Sequence, residues 1–191
     1  MSPLVFVDYS ADFLCRRKFD RKVAHYTCSL VQPKFCATDD ANLFLSEFCS
    51  ERGYDLELGV MELNRLSHAI IFDSGSSSEI IESLRLLNVL AKVISTPLTT
   101  VVNRDKGEKF DIYIGRGTVW GNPYPIGRAG DREEVLRKYQ YDFDRRLLDF
   151  FQDHDRNVAE IRGRVLGCHC KPSACHGDII ARYVNSLDDE G

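Results

Sequence analysis

The sequence contains no apolar stretch near the ~18 or more residues that a membrane-spanning helix needs, so no segment is expected to cross a bilayer. It also lacks an excess of positive charge. Against 25 Lys and Arg stand 29 Asp and Glu, a net charge of −4, so no field of the whole molecule draws in nucleic acid. The opening Met1-Ser2-Pro3-Leu4-Val5 has none of the basic stretch, long apolar run and small-residue cleavage site of a secretion signal. Seven cysteines is an odd number for a disulfide framework. A cytoplasmic, reduced protein is therefore expected, with Cys15, Cys28, Cys36 and Cys49 as buried small hydrophobes. Internal repeats, low-complexity tracts and long linkers are absent, and tryptophan occurs once, at position 120.

What is present is a chain of 191 residues, 43% hydrophobic, long enough for one large domain or two small ones with a real core. After position 100 the basic residues are mainly Arg, the side chain that grips phosphate or carboxylate through two parallel hydrogen bonds, so an anionic ligand is expected in the second half.

Leu4-Val5-Phe6-Val7 is β-branched and aromatic, ends in Asp8 and reads as a first buried strand. The basic cluster Arg16, Arg17, Lys18, Arg21 and Lys22 reads as the solvated face of a helix. Thr38-Asp39-Asp40 caps a helix carrying Phe44, Leu45 and Phe48, with Gly53 as its stop. A helix is also expected from Leu56 to Leu66, on the stripe Leu56, Val60, Leu63 and Leu66. Ala69 to Asp73 is of strand length, Ile80 to Leu90 helical, and Lys92 to Ser95 a further strand, which makes a βαβ unit and a parallel sheet. Thr99 to Asn103 and Phe110 to Ile114 read as strands. Asp131 caps a helix expected to run to about Phe151, and the tail from Asp188 to Gly191 is expected to be solvated.

Three constellations carry chemistry. Gly163 to Cys168 is a strand that leads into three thiols and two imidazoles within nine residues, then a final helix. Cys168, Cys170, Cys175 and His176 supply the soft or borderline donors that a tetrahedral zinc takes, so a structural Zn is one reading. The other places a thiol or imidazole at the start of the last helix, with His176 and Asp178 available for acid–base work. In the second constellation, Gly115, Gly117 and Gly121 let backbone amides approach a ligand, Arg116 clamps its phosphate, Trp120 or Tyr124 stacks on its base, and Asn122 orients a sugar hydroxyl. The third is Asp73-Ser74-Gly75-Ser76-Ser77-Ser78-Glu79, at the carboxyl end of a parallel strand, where the amides of Gly75 and Ser76 are expected to receive a ligand oxygen and Glu79 or Asp73 to face it.

The stretch Tyr113-Ile114-Gly115-Arg116-Gly117, followed by Trp120-Gly121-Asn122-Pro123-Tyr124 and by Leu166-Gly167-Cys168-x-Cys170-Lys171-Pro172-x-x-Cys175-His176-Gly177-Asp178, resembles the domain-of-unknown-function family 4326 (DUF4326) of bacteria and their phages, over roughly residues 99 to 186. This chain has His169 between the first two cysteines and Tyr124 after Asn122-Pro123, where another aromatic and a Phe are the expected residues. The first 96 residues or so resemble more distantly the Rossmann-like group of nucleoside deoxyribosyltransferases and cytokinin-activating nucleotide hydrolases, through Leu63-Asn64-Arg65-Leu66, the Ala69–Phe72 strand, Asp73, Gly75 and Glu79. That resemblance implies an acidic residue of this loop working on an N-glycosidic bond.

The expectation is an α/β protein in two parts, a Rossmann-like parallel sheet with helices on both faces over 1–97 and the family domain over 98–187, with an acidic tail at 188–191 and a crevice between the parts. Its expected function is hydrolysis or transfer at the N-glycosidic bond of a nucleotide-like small molecule. Glu79 or Asp73 would serve as nucleophile or stabilising charge. The alternatives are a module that sequesters a nucleotide signal without turnover, and a zinc-stabilised nucleic-acid-binding protein.

Overall fold

Alternation along the first strand explains the architecture of the N-terminal half. In the computed structural model, which describes residues 2–59 and 62–189, β1 (Leu4–Tyr9) sends Phe6 to one face, where it packs with Cys36, Ala69, Ile71 and Leu84. On the other face lies an aromatic cluster in which Phe72 stacks on Phe13 and Phe19, and Phe19 meets Phe44 and Phe48. Residues buried on both faces are what a parallel sheet covered by helices requires. The elements follow in the order α1 (Arg16–Thr27), β2 (Lys34–Ala37), α2 (Phe44–Arg52), β3 (Leu56–Leu58), β4 (His68–Asp73), α3 (Ser78–Leu86) and β5 (Leu90–Ser95). All strand pairings are parallel, in the order β3-β2-β1-β4-β5. From β1 the chain builds outward through β2 and β3, then returns to lay β4 on β1's opposite side. The carboxyl ends of β1 and β4 therefore flank the point where the winding reverses, the place where open α/β sheets bind ligands.

The chain divides into two units: one holds the residues up to Pro97 and those from Ser186 on, the other Leu98–Asn185. The second has a three-stranded parallel sheet in the order β6-β8-β7, made of β6 (Thr100–Asn103), β7 (Ile112–Tyr113) and β8 (Val165–Cys168). Its helices are α4 (Arg132–Asp144), α5 (His154–Ile161) and α6 (His176–Ser186).

Several expectations are corrected. Among the described residues no helix spans 56–66: Leu56–Leu58 pairs with β2 as an edge strand, and a single 3-10 turn, Leu63–Arg65, follows. Pairing with β2 takes Leu56, the first residue of the apolar stripe, into a strand. Val60 lies outside the described residues. The helix after Asp73 stops at Leu86, because Asn88 adopts a left-handed φ of 54° and turns the chain into β5. The long helix after Asp131 ends at Asp144; Arg146, with φ 58°, redirects the chain into a 3-10 turn at Asp149–Phe151 and then α5. Cys28 is exposed, while Cys15, Cys36 and Cys49 are buried. Nor is the tail simply solvated. Asp189 pairs with Lys18 at 2.6 Å and Asp188 with Arg21 at 2.8 Å, and Lys18 is only 6% exposed. Glu190 and Gly191 lie outside the described residues. Among the described residues no helix is long and apolar enough to cross a membrane.

Candidate functional site

In the first unit, two carboxylates stand at the winding reversal. Asp8 pairs in register with Ile71, so it shares a face with Asp73 two residues further along β4. Asp73 Oδ1 accepts the amides of Gly75 at 2.8 Å and Ser77 at 3.1 Å, and these bonds hold its pKa below the ordinary value. Asp8 is shifted the opposite way, raised first by burial and then by the charge of Asp73. Gly75 needs its positive φ of 102° to make this loop. The amides of Gly75 and Ser77 are thus occupied by the chain's own carboxylate, and the hydroxyl of Ser76 lies 3.4 Å from that of Ser74. Glu79, the second residue of α3, is exposed. Asp8 was not among the residues singled out from the sequence. The signal was there, an acidic residue closing the first strand of a Rossmann-like sheet, but it gains meaning only once β4 is known to lie beside β1.

The second unit brings most of its candidates together. A cavity of about 420 Å³ is lined by Gly115, Arg116, Asn122, Tyr124, Cys168, Cys170, Cys175 and His176, joined by Tyr113, Arg132 and His169. It opens where β7 and β8 end and where α4 and α6 begin. Cys168 Sγ lies 3.3 Å from Cys175 Sγ and accepts the amide of Cys170 at 3.1 Å. The contact between the two sulfurs, with the backbone amides, pulls the Cys168 pKa down, while the same contact and burial push that of Cys175 up. The ring of His176 is buried, which lowers its pKa, and its Nε2 lies 2.8 Å from the carbonyl of Ile114. A carbonyl only accepts, so Nε2 carries the hydrogen. Asp178 accepts the amide of Cys175 at 2.9 Å and pairs with Lys171, closing the first turn of α6. Among the described residues no group of three or more His, Cys, Asp or Glu side chains is placed to hold a metal ion.

Three residues of the glycine loop go elsewhere. Trp120 is buried, its Nε1 has no hydrogen-bond partner, and with Gly117 it lines a separate hollow against Asp149 and Asn157. Gly121 is a packing position. A Cβ there would lie 2.6 Å from the carbonyl oxygen of Gly115 and 3.1 Å from Cα of Arg116, both backbone atoms that cannot swing aside. Gly121→Ala is therefore expected to cost about 2 kcal/mol, as overpacking does. Urea denaturation followed by the emission of Trp120, the residue next to it and the sole tryptophan, measures this loss; an unchanged midpoint would show that the loop yields. Asn122 Oδ1 accepts the amide of Tyr124 at 2.8 Å, and the Tyr124 hydroxyl bonds Asp142, so both are fixed by the chain itself.

Residues 2–102 match the family model of the minimal SLOG domain, and residues 101–186 match a domain of unknown function, DUF4326. The chain is 46% identical over 90 residues to the uncharacterized 12.4 kDa protein in the nrdA-td intergenic region of Enterobacteria phage T4, a match that covers 47% of this chain and 81% of the phage protein.

Proposed function

Since the chain belongs to the minimal SLOG family through its first half and carries a DUF4326 domain in its second, we propose that it is an enzyme that cleaves or transfers at the N-glycosidic bond of a nucleotide or phosphorylated nucleoside. SLOG domains take nucleotide-like ligands. The bond between base and sugar breaks through a positively charged sugar centre, so the reaction needs an anion beside that centre and a proton for the departing base.

The observation that carries the reading is the pair of carboxylates at the winding reversal, whose surroundings push their pKa values apart, the pattern that separates an acid from a stabilising charge. Asp73, held by the amides of its own loop, stays ionised and oriented, and serves as the fixed charge rather than as an attacking group. Asp8, whose pKa burial and the charge of Asp73 hold above the ordinary value, is the group assigned to give a proton to the base. The exposed Glu79 is the competing carboxylate, and Glu79→Gln separates the two assignments.

The test is incubation with a panel of nucleoside mono-, di- and triphosphates, followed by mass measurement of what is released and what stays bound. Free base is expected, falling about a hundredfold in Asp73→Asn and in Asp8→Asn. Recovery of intact bound nucleotide without free base would replace turnover with sequestration. Asp8→Asn has a second consequence of opposite sign. Because the folded-state pKa of Asp8 lies above its unfolded value, its favourable contribution is present below the unfolded value and is lost as pH rises through the folded one. As pH rises through that folded-state value, Asp8→Asn should therefore gain in melting temperature relative to the parent, while its turnover stays about a hundredfold down.

A further inference from the structure

The carboxyl ends of the three strands in the second unit each contribute one member of a hydrogen-bonded chain. Just past β6, Asp105 Oδ2 lies 2.7 Å from Nδ1 of His169; His169 follows β8, and its Nε2 lies 2.9 Å from the hydroxyl of Tyr113, which ends β7. A carboxylate accepts, so Nδ1 carries the hydrogen, and in the neutral tautomer Nε2 then has its lone pair for the phenol. Tyr113 and His169 both line the 420 Å³ cavity.

We propose that Asp105, His169 and Tyr113 form a proton-transfer chain that makes Tyr113 the acid–base group of a second ligand site, one that takes a small anionic molecule in the cavity of the second unit. This inference is independent of the Asp8–Asp73 assignment, which concerns the other unit.

The side chains of His169 and Asp105 are 49% and 58% exposed, and further features tie this surface network to the cavity. The phenol hydroxyl is seated directly over Gly115, where a Cβ would lie 1.9 Å from it, so the absent side chain is what admits Tyr113 to this position. The guanidinium of Arg104 stands 4.7 Å over the Tyr113 ring, a cation–π contact that helps hold the ring in place. Asp105 is itself held. Its amide donates to Oδ1 of the buried Asn103 at 2.8 Å, and the side-chain amide of Asn103 donates in turn to the carbonyl of Lys171. Arg116 and Arg132 line the cavity and give it an anionic preference, while Ile126, Val135 and Leu136 supply an apolar wall. In the transfer, the ligand's proton passes to Tyr113 Oη as the proton of Tyr113 passes to His169 Nε2, leaving an imidazolium beside Asp105; the reverse steps return both protons. Tyr113 is the catalytic residue, and His169 and Asp105 are positioning residues that act through it.

An aryl sulfonyl fluoride reports such a phenol directly. Tyr113 Oη attacks sulfur, an S–O bond forms, fluoride leaves, and the phenol proton goes to His169. The probe is 4-(fluorosulfonyl)benzoic acid, whose carboxylate suits Arg116 and Arg132, with adducts located by mass spectrometry; the other seven of the eight tyrosines are internal controls. Tyr113 is expected to label about a hundredfold faster than the exposed Tyr141, and faster with this reagent than with neutral benzenesulfonyl fluoride. His169→Gln, which keeps a hydrogen-bonding group but cannot take up a proton, removes the advantage, and added imidazole restores it in His169→Gly. Gly115→Ala displaces the hydroxyl and removes the advantage while labelling of Tyr141 is unchanged, which separates the effect from unfolding. Labelling of Tyr113 no faster than Tyr141, or undiminished in His169→Gln, would overturn the relay; equal rates with the charged and neutral reagents would overturn the anionic site.

Discussion

Phe72→Ala is expected to remove about 4 kcal/mol from the stability of the first unit, the typical cost of emptying a buried aromatic position. The ring of Phe72 is fully enclosed, stacked on Phe13 with centroids 5.1 Å apart and on Phe19 at 5.2 Å, so the hole left behind is lined by other rings that cannot close it without breaking their own contacts. Folded domains hold only about 5–15 kcal/mol in all, so a loss of this size brings a marginal unit close to unfolding at ordinary temperature. The residue also immediately precedes Asp73, and loosening its ring frees the end of β4 on which that carboxylate is mounted. Urea denaturation followed by far-ultraviolet circular dichroism gives the loss, and Phe72→Leu, which refills most of the volume, should recover the greater part of it. A midpoint for Phe72→Ala within experimental error of the parent would mean that the ring stack contributes far less than its enclosure indicates.

Asp40→Ala is expected to cost about 3 kcal/mol, and its effect should depend on acidity. The position before α2 is taken by Leu43, whose left-handed φ of 60° offers no capping side chain, so the cap reaches in from Asp40 instead. Its carboxylate accepts the amide of Leu45 at 3.1 Å, the amide of Ser46 at 2.8 Å, the Ser46 hydroxyl at 2.6 Å and the hydroxyl of Tyr9. Burial by itself would raise the pKa of this carboxyl, but the hydrogen bonds outweigh it and the pKa is lowered. A group whose folded-state pKa lies below the unfolded one contributes stability above about pH 4, and that stability drains away as pH falls through the folded value. The difference in stability between parent and Asp40→Ala should therefore be full at neutral pH and shrink in acid. A constant difference across that range would exclude Asp40 as the ionised cap.

The first unit was largely legible because its signals are local and repeat along the chain. Ala69 to Phe72 is apolar throughout, Ser-rich residues follow, and Ile80, Ile81 and Leu84 mark a helix, so β4, α3 and β5 could be read as one unit. β2 and β3 could not, since Lys34–Ala37 and Leu56–Leu58 are too short to carry a period and become strands only because β1 offers an edge to β2 and β2 in turn offers one to β3. In the second unit the motif residues around Gly115 and Cys168 were found, but their geometry was not. The ring of His176 turns to the carbonyl of Ile114, a partner 62 residues away that no local pattern encodes. Asp105 and Tyr113 escaped for the same reason: each is unremarkable alone, and only the parallel pairing of β6 and β7 with β8 brings them to His169.

That pairing also sets a schedule for synthesis. β8 is the only strand joined to both β6 and β7 in this sheet, and it is the last of the three to leave a ribosome. Until residues 165–168 emerge, the two earlier strands have no ladder to join, whereas every strand of the first sheet has been made by Ser95. A nascent chain halted between these points carries one complete sheet and, behind it, some seventy residues that wait for their central strand.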